Sequence, residues 1–152
     1  MQGEYPYYGA TGIVDYINDF LFDGEYLLVA EDGKNLVNRK KPIAWIVTGK
    51  FWVNNHAHIV KENGVLNMRY LESLLNLMDI SEYVTGIDQY KVNKSNLNRM
   101  LIMKPPIEDQ LLFANQLNNV HEQKRILNQE IDKAEELFNS FLQKAFKGEI
   151  TK

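Results

Sequence analysis

Between Glu108 and Gly148 the chain contains no glycine or proline, and Phe113, Leu117, Val120, Leu127, Ile131, Ala134, Phe138, Phe141 and Ala145 recur at alternating steps of four and three residues, with Lys124 in the one polar slot. Such a step pattern is the heptad seam of a coiled coil. At 1.5 Å per residue, about 40 residues make a helix on the order of 60 Å long, more than a domain of this size needs to cover itself. The seam therefore predicts a second helix against Phe113, Leu117, Val120, Leu127, Ile131, Phe138 and Phe141. The alternative is an amphipathic helix folded back on its own domain. Pro105-Pro106 stands just before the helix. Proline steers the preceding residue away from helical angles and suits the first turn of the next element, so a domain boundary is expected there.

Ahead of the prolines, short β-branched and aromatic runs alternate with Gly, Asn and Asp punctuation, the pattern of a compact unit mixing strands and helices. Strands are expected at Tyr26–Ala30, Ile43–Val47, His58–Lys61 and Met100–Lys104. Glu31 to Asn35 reads as a turn, because Asp, Gly and Asn accept the positive φ that tight turns demand. Asn67 is placed to cap a helix running to about Met78, with Tyr70, Leu71, Leu74, Leu75 and Met78 on one face, packed against the sheet. The expected class is α+β: a mixed α/β domain over residues 1–106, one long coiled-coil-forming helix over 107–148, and a tail at 149–152. No internal repeat or low-complexity tract interrupts this order.

Composition narrows the function classes. With 152 residues, 45% of them hydrophobic, the chain can bury one modest core. The absence of cysteine excludes disulfides, thiolate metal sites and cysteine nucleophiles. No apolar run approaches the roughly 20 residues of a membrane span, and Met-Gln-Gly-Glu-Tyr-Pro lacks the regions of a signal peptide, so the expected compartment is the cytoplasm. The net charge of −3 is unevenly spread: residues 1–33 carry seven acidic and no basic residues, whereas 34–104 carry eleven basic and five acidic ones. A positive middle segment in an acidic protein fits a local phosphate-facing surface, and a solvated mixed face gives similar counts.

Enzyme motifs fail on inspection. Thr48-Gly49-Lys50 resembles the end of a phosphate-binding loop, but Ala44 stands where that loop needs its first glycine and Phe51 where it needs Ser or Thr. His56 and His58 fall on one face of a strand without a third metal ligand nearby, since His121 belongs to the long helix. Asp15, Asp19, Asp23, Glu31 and Asp32 offer carboxylates for hydrolysis, two of them on one face if a helix forms, but solvated turn and helix positions are the simpler account. No glycine elbow frames a serine. What remains is Gly49-Lys50-Phe51-Trp52-Val53-Asn54-Asn55-His56 and Gln89-Tyr90-Lys91-Val92-Asn93-Lys94-Ser95-Asn96, two stretches mixing cations, amides and aromatics. Cationic and amide side chains bind phosphates and read base edges. The competing account makes Phe51, Trp52 and Val53 core residues and the amides turn closures.

The strings YPYYGATGIVDYINDFLFDGEYLLVAEDG, GKFWVNNHAHIV, YVTGIDQYKVNKSNL, KPPIEDQ and LFNSFLQKAFKGE, in that order, resemble a target recognition domain and conserved helix of the specificity subunit of type I restriction-modification enzymes. The resemblance implies no catalysis and no cofactor in this chain; S-adenosylmethionine would be bound by a partner methyltransferase, and a restriction subunit would join for cleavage. It implies two such domains joined by antiparallel helices, each reading half of a split site on double-stranded DNA. Gly49 to His56 and Gln89 to Ser95 match family motifs, and Glu108-Asp109-Gln110 matches the start of the spacer helix. The DNA-facing group so implied is Lys34, Lys50, Asn54, His56, Lys91, Asn93 and Lys94. The family commonly has Gln-Pro where Gln89-Tyr90 stands, and a further stretch before YPYYGATG. The chain is therefore expected to lack an edge strand, or to be a fragment or split product. One domain with one helix implies half of a divided subunit or a homodimer through the helix; the alternative is a DNA-inactive, helix-mediated interaction module.

Overall fold

The structure, a computed structural model, describes residues 3–149. Strands β1 (Tyr5–Gly9), β2 (Gly12–Ile17), β3 (Phe22–Ala30), β4 (Ala44–Val53) and β5 (Ala57–Val60) form one sheet in the order β2-β1-β4-β3-β5. The helices are α1 (Asn35–Asn38), α2 (Met68–Leu77), α3 (Lys94–Asn98) and α4 (Ile107–Phe146), with a 3-10 turn at Ser81–Tyr83. The class is α+β, as the sequence predicts. The chain divides into two compact units, the first ending at Leu111 and the second beginning at Leu112.

The sheet curls, and chain connectivity requires it. Phe51 near the end of β4 pairs with Phe22, whereas Ala57 at the start of β5 pairs with Ala30. In a flat strand Phe22 and Ala30 lie about 26 Å apart, at about 3.3 Å per residue. The four-residue step from Val53 to Ala57 reaches at most about 14 Å. A pair of opposed glycines provides the bend: Gly24 faces Gly49, with φ of 132° and 83°. These are left-handed angles that side chains resist. The curl closes Leu28, Val47, Phe51, Val53 and Ala57 into one core, edged by Tyr8, Phe22 and Tyr26.

A second core lies between the sheet and α2, built from Leu27, Val29, Ala44, Met68, Leu71 and Leu75. Asn67 caps α2 as predicted, its side chain accepting from the N–H groups of Arg69 and Tyr70. The helix also completes the sheet. β1 pairs with β4 only at Trp52 and Val53, leaving the start of β4 without a strand on that side. There Asn76 Oδ1 accepts from Ile43 N and Ala44 N at 2.8 and 3.0 Å, and Glu72 accepts from Ile46 N at 3.1 Å. Buried backbone groups need such partners. Arg39, at φ 51°, donates to the carbonyls of Leu75 and Met78 at the C-terminal end of α2, where a cation suits the helix dipole.

One expectation is corrected: Met100–Lys104 is not a strand. Its alternation buries Met100 and Ile102 against the α2 core and exposes Leu101 and Met103. The backbone instead bonds side chains: Leu101 N donates to Tyr83 Oη and Tyr70 Oη donates to Met103 O. The carboxylate pair weighed as an alternative does not form on a helix, since Asp15 lies in β2 and Asp23 in β3, while Asp19 accepts from Phe20 N.

Helix α4 spans 40 residues without a break. Along it Leu127 and Ile131 are each 57% exposed and Phe138 62%.

Candidate nucleic-acid interface

Three loops meet at one end of the curled sheet. The turn after β3 carries Glu31 to Lys34, the β4–β5 connection carries Asn54 to His56, and a third loop runs from Thr85 to Val92. Glu31 is the hub: its N–H donates to His56 O at 2.9 Å, and its carbonyl accepts from Val92 N at 2.7 Å. Gly33 N adds a bond to Tyr90 O at 3.0 Å. The third loop is closed by reciprocal bonds of 2.8 Å between Thr85 and Lys91, around Gly86, where a Cβ would collide with the carbonyl oxygen of Gln89. The loops enclose an open cleft of about 510 Å³, lined by Asp32, Lys34, His56, Gln89, Tyr90 and Lys91 among others.

Charge in the cleft is organised by Glu31 and Asp32. Lys91 Nζ lies 2.9 Å from Glu31 Oε1, and that hydrogen bond, backed by the Glu31 and Asp32 charges, raises the lysine above its ordinary pKa. His58 Nε2 lies 2.7 Å from Val92 O; a carbonyl only accepts, so Nε2 holds the proton. Its Nδ1 sits 3.7 Å from Glu31 Oε2. His56 Nδ1 lies 2.5 Å from Asp32 Oδ2. Both histidines are thus engaged by protein groups, and no cluster of three metal-ligating side chains occurs among the described residues.

The structure brings together part of the residue group singled out in the sequence. Lys34, His56 and Lys91 line the cleft. Asn93 follows the third loop as the N-cap of α3, accepting from Asn96 N at 2.9 Å, and Lys94 opens that helix, exposed. Asn54 closes the β4–β5 turn by accepting from His56 N at 2.9 Å. Both amide oxygens thus serve local structure. Lys50 has its contacts elsewhere, opposite Asp23, with its ammonium 4.6 Å from the Phe20 ring centre. Phe51 and Val53 are core residues. Sequence reasoning missed the pairing roles of Glu31 and Asp32. The available signal was an acidic pair ahead of a glycine turn and a His-x-His run on another strand; only the β3–β5 register joins them.

A curled α+β domain that gathers cations, amides and an imidazole onto one loop cluster, and continues into a long helix with an exposed apolar seam, has the parts of a nucleic-acid reading module with a helical arm. Known proteins point the same way. The chain belongs to the type I restriction modification DNA specificity domain family, whose model matches residues 1–136. It is 38% identical over 110 residues to a putative type I restriction enzyme specificity subunit of Haemophilus influenzae, a match covering 72% of this chain and 28% of that protein. It is 26% identical over 110 residues to the type I restriction enzyme EcoprrI specificity subunit of Escherichia coli, covering 72% and 26%. The chain thus spans about a quarter of the length of these curated relatives. The crystal structure of a type I restriction-modification system S subunit from M. genitalium matches with a TM-score of 0.64 at 16% identity, over 97% of this chain and 40% of that one. At that identity the likeness shows a shared fold.

Proposed function

We propose that this chain is a sequence-specific DNA recognition module of a type I restriction-modification system, in which residues 1–106 read half of a split double-stranded site and residues 107–148 form the spacer and pairing helix. The observation that carries this reading is the family match over residues 1–136 together with the convergence of Lys34, His56 and Lys91 on one exposed cleft. Cationic side chains there engage phosphates, and amides and imidazole reach base edges. The group at the DNA is Lys34, Lys50, Asn54, His56, Lys91, Asn93 and Lys94, with Lys50 and the two turn-closing asparagines at its margin.

The chain is non-catalytic in this reading and holds no cofactor. It acts in the cytoplasm, directing a methyltransferase subunit that binds S-adenosylmethionine, and a restriction subunit, to the site. The seam residues Phe113, Leu117, Val120, Leu127, Ile131, Phe138 and Phe141 pair with a second copy or with the other half of a specificity subunit. The exposure of Val120, Leu127, Ile131, Phe138 and Phe141 supports that pairing. Among the described residues no helix is long and apolar enough to cross a membrane.

The test is selection of duplexes from a randomised pool by the purified chain, alone and with its methyltransferase. The expected product is an enriched motif of two defined half-sites around an unspecified spacer. A pool that stays random under both conditions rejects the reading and leaves a helix-mediated interaction module.

A further inference from the structure

Of the polar side chains at the cleft, His56 is the one whose hydrogen-bonding character is set by another residue. One ring nitrogen, Nδ1, is 2.5 Å from Asp32 Oδ2, while the two side chains remain 51% and 31% exposed. An ionised carboxylate only accepts, so Nδ1 is the protonated nitrogen of the neutral ring. Nε2 then carries a lone pair, and no hydrogen bond to it occurs among the described residues. Among the described residues none of the other charged groups lining this cleft, Lys34, Asp88 and Lys91, is hydrogen-bonded or ion-paired to the ring, and Lys91 is held by Glu31. The backbone of Asp32 is itself tied to the third loop by an antiparallel bridge to Lys91.

Resting on the DNA-reading assignment above, we propose that Asp32 is a positioning residue that sets His56 as a hydrogen-bond acceptor, so that Nε2 selects a base with an exocyclic amino group, adenine or cytosine, at one position of the site. In the major groove those bases present N6 and N4 donors, whereas guanine and thymine present acceptors at the corresponding edge. With the ring in the opposite tautomer, Nε2 becomes a donor and the preference inverts to guanine or thymine. Asp32 thereby contributes to specificity without touching DNA, as carboxylates behind metal-binding histidines fix the tautomer of those rings.

Two measurements on the full chain test this. Imidazole nitrogen NMR, at a pH where the ring's own resonances report the neutral form, is expected to place the His56 proton on Nδ1, and on Nε2 in Asp32→Ala. Selection from a randomised duplex pool is expected to yield an adenine or cytosine preference at one position. That preference is about fivefold, the contribution of one net hydrogen bond; it disappears in His56→Ala and inverts to a similar preference for guanine or thymine in Asp32→Ala. A wild-type ring protonated on Nε2 overturns the proposal, as does a motif unchanged by both substitutions. If the wild-type chain enriches nothing, the DNA assignment itself falls and takes this proposal with it, whatever the ring spectrum.

Discussion

Gln110 is 1% exposed and lies in the first turn of α4, within the first compact unit. Its Oε1 accepts from Asn67 N at 2.8 Å, and its Nε2 donates to Pro105 O at 2.8 Å and to Val65 O at 3.4 Å. It thus joins the start of α4 to the residue that caps α2. Gln110→Ala leaves the Asn67 N–H and the Pro105 carbonyl without their partner. Two such bonds contribute about 1 kcal/mol each, and the emptied space adds about 1 kcal/mol, for a total of about 2–4 kcal/mol. At roughly 5 °C per kcal/mol for a domain of this size, the expected fall in Tm is about 10–20 °C. The assay is thermal unfolding followed by tryptophan fluorescence, because Trp45 and Trp52 are the chain's only tryptophans and both lie in the first unit. Gln110→Glu keeps the shape and the acceptor but removes both donors and sets a buried carboxyl beside the Pro105 carbonyl. Burial raises that carboxyl's folded pKa above its unfolded value, so the variant should be weakest near neutral pH and recover as the pH falls through the raised value. A fall of less than about 2 °C in Gln110→Ala would refute the assigned role, because it is below the contribution of even one net bond.

Other perturbations address the curl and the seam. Gly49→Ala puts a side chain at φ 83°, in open space, so the penalty is backbone strain alone: the urea midpoint should drop by the equivalent of about 1–2 kcal/mol. No drop would mean that the bend does not depend on this angle. Light scattering of the purified chain should give the mass of a dimer, and the double change Leu127→Asp, Ile131→Asp should reduce it to a monomer by burying charge in the seam. A monomer in both cases would show that α4 does not pair with itself.

Legibility in the sequence followed how local the determining interaction was. The α2 helix was readable because Asn67 and the apolar face obey rules spanning a few residues, and both operate as expected. The C-terminal half of β3, the N-terminal half of β4 and most of β5 were readable from their apolar runs. β1 and β2 were not: Pro6, Gly9 and Gly12 break their pattern, and exposed positions at Ile13 and Val14 carry no alternation. Met100–Lys104 misled because period-two burial marks extended chain, while a strand also needs a neighbour that sequence does not reveal. The cleft was half readable. Residue types in the two basic stretches pointed to its chemistry, but their meeting depends on a glycine-enabled curl and on bonds from Glu31 to His56 and Val92, distant in sequence.

A loop cluster that faces DNA must neutralise phosphates. The salt dependence of duplex binding by the full chain, and by a variant carrying Lys34→Ala and Lys94→Ala, measures this. Each phosphate contact contributes close to one unit to the slope of log affinity against log salt. A steep slope is expected for the native chain, shallower by about two units in the variant. An identical slope in both, or binding indifferent to salt, would contradict it.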